Sequence, residues 1–264
     1  MNQPKTGRKQ LAGFSLIELM VALVAGLIVV GAVLAFTVSS VKSNSDFVKS
    51  TRLMQELRNS SDFIASELKR AGYDEAAMKY LANPVSTEVS LFAPILVDTT
   101  AGQNCVIYAY DRQPGRPGKV DADNGEIRGI RRATTGGIGV IEVAESTATV
   151  TPACNGAQPD YSQYPTTCNT ASGWCPLSDP RSIDIQTFTV STAASGTNSN
   201  GVRSIAGGST FNALQLREFQ VTLAGNLRND PAATRDIRAN IKVRADCLRQ
   251  NLAACILAPV PTPP

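Results

Sequence analysis

Gly13-Phe14-Ser15-Leu16-Ile17-Glu18-Leu19-Met20-Val21 opens a stretch of the chain that stays almost wholly apolar as far as Val41. No charged residue occurs between Glu18 and Lys42. A bilayer core of about 30 Å takes about 20 apolar helical residues, so this stretch is long enough to cross one. It exceeds the roughly 15-residue apolar core of an ordinary secretory signal. The residues before it are polar and basic, with Lys5, Arg8 and Lys9. Positive charge ahead of a span holds that end in the cytoplasm, so the rest of the chain is expected on the far side.

Glu18 is the anomaly of the stretch. A carboxylate at the centre of a bilayer costs about 2.5–3.5 kcal/mol, and less near the edge. One reading is an interfacial glutamate tolerated near a helix N-terminus, where the macrodipole favours it. The other is a functional group, since ionisable residues within spans mark function.

Downstream, no proline interrupts the chain between Pro4 and Pro84, so the helix is expected to continue. Met54, Leu57, Ser61, Ile64 and Leu68 follow 3-and-4 spacing, with Phe47 and Thr51 extending the stripe upstream. Lys49, Arg52, Glu56, Arg58, Asp62 and Lys69 take the opposite face. That is an amphipathic helix with one face on a domain; the stripe is short and contains Ser61 and Thr51, which favours a sheet over a coiled-coil partner. Gly72, after Lys69 and Arg70, fits a C-cap. A helix over residues 14–71 would be roughly 87 Å long.

The glycine, the aromatic residue and the lone acid, behind a short basic leader and ahead of an apolar span, resemble the prepilin signature of the type IV pilin-like family. The resemblance implies cleavage between Gly13 and Phe14 by a prepilin peptidase at the cytoplasmic face, then N-methylation of the new Phe14 amine. It also implies that Glu18 meets the N-terminal amine of a neighbouring subunit. Two unpaired charges in an apolar filament core would each be costly, whereas a matched pair offsets much of the penalty and fixes register. Ser66-Glu67-Leu68-Lys69-Arg70-Ala71-Gly72-Tyr73 resembles the PilW group of minor pilins. The span lacks the proline common in major pilins, which also points to a minor subunit.

From Tyr73 onward, proline and glycine become frequent and short β-rich runs alternate with turn clusters. Strands are expected at 89–91 with 95–97, 105–110, 126–132, 140–143, 183–190, 214–223 and 237–243. Residues 224–235 read as a hairpin loop and 191–210 as a mobile surface loop. The proline-rich 258–264 reads as a disordered or polyproline-like tail. An antiparallel sheet with one solvated face accounts for the alternation.

All six cysteines follow the apolar segment, which suggests an oxidising compartment and disulfides. Short-range closure favours Cys247 with Cys255 and Cys168 with Cys175, which leaves Cys105 with Cys154; sequence alone does not choose among the pairings. Zinc finds no Cys-x-x-Cys pair and no histidine. The absence of histidine also removes the commonest general base and the usual nucleophile pairs. The net charge of +3 comes from the leader; beyond it basic and acidic residues balance, unlike the basic face of a nucleic-acid-binding protein. The C-terminal arginines, Arg217, Arg228, Arg235, Arg238, Arg244 and Arg249, read as solvated strand faces.

Three further features carry bland readings. Asp121-Ala122-Asp123-Asn124-Gly125-Glu126 lacks the spacing of a calcium loop and reads as a turn into a strand. Gly136-Gly137-Ile138-Gly139 has no following helix to cradle a phosphate. Trp174, between Cys168 and Cys175, reads as cover for a disulfide rather than as a partner-binding anchor.

The expected fold is therefore α+β and pilin-like, with a long N-terminal helix packed on an antiparallel β-sheet head. The expected segments are a leader at 1–13, a transmembrane and filament-core half-helix at 14–41, an amphipathic half-helix at 42–72, a head at 73–257 and the tail at 258–264. No catalytic site, metal or cofactor is expected. The resemblance implies as partners the prepilin peptidase, other minor pilins, the major pilin, an adhesin at the tip and the inner membrane. It implies a single-pass inner-membrane protein with a periplasmic head that passes to the pilus. A GspJ-like pseudopilin of a type II secretion system is the alternative; a membrane-anchored periplasmic enzyme or binding protein is the alternative of another class.

Overall fold

The computed structural model describes residues 13, 15–77, 90–98, 104–112, 118–192, 203–204, 213–215, 217–245 and 247–249. The side chains at 192, 203–204, 213–215 and 247–249 lie outside that description. The chain forms two compact units, Met1–Ser50 and Thr51–Pro264. Helix α1, Leu16–Arg70, begins in the first and ends in the second.

In the first unit the helix carries one acid in its first turn, Glu18, and no residue between Leu16 and Val48 is buried. Its leucines, isoleucines and valines are uncovered, up to 77% exposed at Leu16.

In the second unit α1 buries Leu53, Leu57, Ser60, Ser61, Ile64, Glu67 and Leu68. The expected stripe holds at Leu57, Ser61, Ile64 and Leu68 but not upstream. Met54 is only half-buried, and Phe47 and Thr51 are exposed. A helix of 3.6 residues per turn drifts off a seven-residue repeat. Stepping back by four from Leu57 keeps Leu53 on the buried face, and stepping back by three puts Met54 on its flank.

Among the described residues eleven strands follow: β1 Ile95–Asp98, β2 Cys105–Ala109, β3 Ile127–Thr135, β4 Ile138–Glu145, β5 Trp174–Pro176, β6 Ile183–Thr192, β7 Arg203–Ser204, β8 Ala213–Gln215, β9 Glu218–Leu227, β10 Asp230–Lys242 and β11 Cys247–Arg249. They form three antiparallel sheets, ordered β1-β2-β3-β4-β5, β10-β9-β6 and β11-β8-β7. The buried face of α1 packs with Val106, Tyr108, Ile130 and Ile141 of the first sheet and with Phe188, Val221, Leu223 and Ile241 of the second. β2 is buried along its whole length because its other face, with Cys105, Ile107 and Ala109, is covered by Trp174 and Phe92.

The first two sheets are joined at β6. Its register slips between Ile185 and Thr187, and the freed carbonyl of Ile185 accepts from Arg132 Nε at 2.6 Å. Gly139 donates its N–H to Asp184 Oδ1 at 2.8 Å. Both flanking strands approach this bulge through glycine. A Cβ on Gly139 would lie 1.9 Å from the Ile185 carbonyl oxygen, and one on Gly225 would lie 2.9 Å from that of Asp184. Neither contact leaves room for a side chain.

Several expected elements are corrected. Leu91 sits in a turn and Val89 lies outside the described residues, so no strand is seen at 89–91. The expected strand 214–223 falls in two strands of different sheets, β8 and β9, with Arg217 in neither. The expected loop 224–235 is mostly strand, and only Arg228 and Asn229 separate β9 from β10. Within 191–210, Ser191 and Thr192 belong to β6 and Arg203–Ser204 is β7; the other residues there, like the tail 258–264, lie outside the described residues. Gly136 and Gly137 make the turn between β3 and β4, both with positive φ. β5 was not expected; it is a short edge strand whose register with β4 runs from Ala144 opposite Trp174 to Glu142 opposite Pro176.

Candidate functional site

Gly13, Ser15 and Glu18 are all exposed at the start of α1. Phe14 and residues 1–12 lie outside the described residues. The Ser15 carbonyl accepts from the N–H groups of Glu18 at 3.1 Å and Leu19 at 3.2 Å, which starts the helix one residue later. Glu18 thus stands in the first turn, where the helix dipole favours a carboxylate. Beyond it runs a helix long and apolar enough to cross a membrane. An apolar face of this extent needs external cover, which a bilayer or a bundle of like helices supplies.

The second unit fastens α1 to the sheet through a buried charge network that sequence reasoning missed. Glu67 Oε2 accepts from Tyr108 Oη at 3.0 Å and from Arg128 Nη1 at 3.1 Å, and Glu67 Oε1 accepts from Arg70 Nη1 at 2.9 Å. Arg128 Nη2 also meets Glu145 Oε1 at 2.5 Å, and its guanidinium lies 5.3 Å from the centre of the Tyr110 ring. Burial first, and the neighbouring Glu67 second, push the Tyr108 hydroxyl well above its usual range. A hydrogen bond with Tyr110, then Glu67, raises Arg70. The signal lay in Ser66-Glu67-Leu68, where an acid stands next to a core leucine on the helix face.

A second buried pair anchors the long connection between β4 and β5. Arg131 Nε and Nη2 meet Glu142 Oε2 at 2.8 and 2.7 Å. Arg131 Nη1 donates to the carbonyls of Cys154 at 2.9 Å and Gly156 at 2.7 Å. Tyr161 Oη donates to Glu142 Oε1 at 2.8 Å, and burial followed by Glu142 raises the Tyr161 hydroxyl. Trp174 is fully buried, its ring 4.0 Å from the Arg131 guanidinium, and its Nε1 donates to Ala153 O at 3.0 Å.

Cys105 is bonded to Cys154, with Cα atoms 5.8 Å apart, and Cys168 to Cys175, with Cα atoms 4.1 Å apart. Trp174 packs in the cluster that holds Cys105 and Cys154. The side chain of Cys247 and the whole of Cys255 lie outside the described residues, and so does any bond between them.

Asp121 caps a short 3₁₀ turn, Ala122–Asn124, closed by Gly125. Glu126 accepts from the N–H groups of Asp121 at 2.5 Å and Arg112 at 3.2 Å, and burial raises its carboxyl. Among the described residues no cluster of histidine, cysteine, aspartate or glutamate is placed to hold a metal. Of the C-terminal arginines, Arg228, Arg235, Arg238 and Arg244 are exposed and the Arg249 side chain is not described. Arg217 departs from the expected solvated face. It is buried and donates to the carbonyls of Ala93 and, at 2.9 Å, Ala245.

A long apolar N-terminal helix with antiparallel sheets in the head defines a pilin-like α+β subunit. The chain matches the family model for prepilin peptidase-dependent protein B over residues 46–243 and the prokaryotic N-terminal methylation motif over residues 8–34. The first match covers well over half of the chain, which belongs to the prepilin peptidase-dependent protein B family. No curated protein and no solved structure matches it. The two matches mark a type IV pilin-like or pseudopilin subunit, membrane-anchored by its N-terminal helix, processed by a prepilin peptidase and assembled with other pilins. Such families are structural subunits rather than enzymes.

Proposed function

We propose that the chain is a minor subunit of a type IV pilus that helps to start assembly at the fibre tip. In this reading residues 1–13 are a leader, 14–41 enter the membrane and then the filament core, and 42–72 carry the amphipathic half of the helix. Residues 73–257 are the head and 258–264 its tail. The N-terminus stays cytoplasmic and the head periplasmic until assembly. Cleavage falls between Gly13 and Phe14, and the new Phe14 amine is methylated.

The observation that carries the reading is Glu18, the lone charge of an otherwise apolar run that ends at Lys42. Within a bundle of such helices its carboxylate pairs with the ammonium that cleavage creates on a neighbouring subunit. The match offsets the desolvation of both charges and sets the axial register. Mass spectrometry of purified filaments tests this. It is expected to find the chain at low abundance, beginning at a methylated Phe14. A Glu18→Ala variant is expected to be cleaved and inserted but poorly incorporated. A mature product beginning at Met1, or normal incorporation of Glu18→Ala, overturns the reading. Deletion separates pilus from secretion roles: loss of twitching motility with secretion intact fits the minor pilin, and the reverse fits a type II pseudopilin.

A further inference from the structure

Three arginines converge at one corner of the second unit. Arg52 Nη2 donates to Ser182 Oγ at 3.2 Å, and Arg228 Nη1 donates to Pro180 O at 3.4 Å. Between them Arg181 lies over the ring of Tyr164, 4.1 Å from its centre. All three arginines are exposed, and Tyr164 is 68% exposed. Among the described residues none of the three guanidinium groups is in an ion pair, whereas Arg70, Arg112, Arg128, Arg131 and Arg238 each are. The nearby carboxylate, Asp179, is engaged by the Arg181 N–H at 2.9 Å and the Ser182 hydroxyl at 3.4 Å. The corner therefore keeps net positive charge beside an exposed aromatic ring.

Covalent connection says what this corner meets. Only residues 42–51 separate Arg52 from the apolar stretch. Within α1 that segment rises about 15 Å, so Arg52 stays close behind the end of the span. Lys42 and Lys49 lie within the same segment. Basic residues close behind a span are drawn to anionic headgroups, and aromatic rings with a polar tip settle at headgroup depth. We infer that the corner of Arg52, Arg181, Arg228 and Tyr164 binds anionic phospholipid headgroups while the chain is membrane-anchored, holding the head in one orientation until it joins a fibre. The inference rests on the anchored state proposed above. An acidic surface of another subunit is the competing occupant. Charge alone would suit it, but the short tether favours the lipid.

The test is hydrogen exchange on the full chain in two sets of nanodiscs, one of phosphatidylcholine and one containing about one-third phosphatidylglycerol. Amides at 181–183 and 227–229 are expected to exchange about tenfold more slowly in the anionic discs, and the difference is expected to vanish in high salt. Arg52→Gln/Arg181→Gln/Arg228→Gln abolishes the difference, while the triple lysine variant keeps most of it although it loses the planar forks toward Ser182 and Pro180. Arg238→Gln, at an exposed arginine already beside Asp236, leaves it unchanged. Equal exchange in both discs, or protection only when another subunit is added, overturns the inference and leaves the anchor reading standing. Failure of the chain to enter either disc overturns both.

Discussion

Tyr108 donates its hydroxyl to Glu67 at 3.0 Å, joining the last turns of α1 to the second strand of the larger sheet. Arg128, from the next strand, reaches the same carboxylate oxygen at 3.1 Å. Glu67 and Arg128 are both buried, so neither charge is left to water. A buried ion pair adds little net stability, but breaking one strands its partner. Its value here is position: three elements share one carboxylate, which fixes how far α1 slides along the sheet.

Arg128→Ala is therefore expected to destabilise the folded head by about 3–5 kcal/mol, because the charge of Glu67 stays buried with only the half-exposed Arg70 to answer it. Glu67→Met/Arg128→Leu, which removes both charges and keeps the volume, is expected to recover most of that loss. Urea unfolding of the full chain in detergent measures both. A double variant no more stable than Arg128→Ala would remove the ion pair from this account.

Alkaline pH should loosen the same junction. The Tyr108 hydroxyl is held above its usual range by burial and by Glu67, so the folded state binds its proton more tightly than the unfolded chain does. The stability this contributes is fully present below the unfolded tyrosine value of about 10 and is lost as pH rises past it. Tyr108→Phe is expected to be less stable at neutral pH but to lose stability less steeply between about pH 9 and 11. Thermal melts across that range give the two slopes, and parallel slopes would contradict the assignment.

The helix was legible because its signals are local: an unbroken apolar run, 3-and-4 spacing and no proline. The β9–β10 hairpin was legible in kind but not in extent. Gly225 and Asn226 look like turn residues, yet both lie inside β9. Gly225 is there because β6 comes too close for a side chain, and Asn226 because Gln186 Nε2 bonds its side chain at 3.2 Å. Turn chemistry and close-approach chemistry call on the same residue types, so only the fold separates them. The buried charges were hidden for a related reason. Arg128, Arg131 and Glu142 stand in strands beside apolar residues and belong to no local motif, and they are buried only because helix α1 covers one side of the sheet and the β4–β5 connection the other. Arg217, which read as part of a solvated face, is buried as well.

Gly139 gives a sharper test of the sheet junction. An added methyl would meet the carbonyl oxygen of Ile185 at 1.9 Å, and backbone cannot yield as a side-chain tip does. Gly139→Ala is expected to cost about 2–3 kcal/mol through overpacking and to speed hydrogen exchange at the bulge of β6. Gly26→Ala, with nothing within 4 Å of the new atom, is expected to leave the head's stability unchanged. Equal effects at the two positions would mean that the sheets do not meet through this contact.

Two of the fastenings of the connection from β4 to β5, a disulfide and a guanidinium, should fail differently. The Cys105–Cys154 bond closes a sequence separation of 49 residues, which by chain entropy restricts the unfolded state by about 4 kcal/mol. Arg131 acts in the folded state, bonding Glu142 and the carbonyls of Cys154 and Gly156 while lying against Trp174. Trp174 is the chain's one tryptophan and is fully buried, so its fluorescence reports on the folded packing alone. Cys105→Ala/Cys154→Ala is expected to lower the urea midpoint while leaving the native emission maximum in place. Arg131→Met is expected to shift that maximum to the red under native conditions, because Glu142 is left buried without its cation and the connection lifts to admit water. If the cysteine variant shifts the emission as far as Arg131→Met does, the disulfide and not the guanidinium holds the connection down.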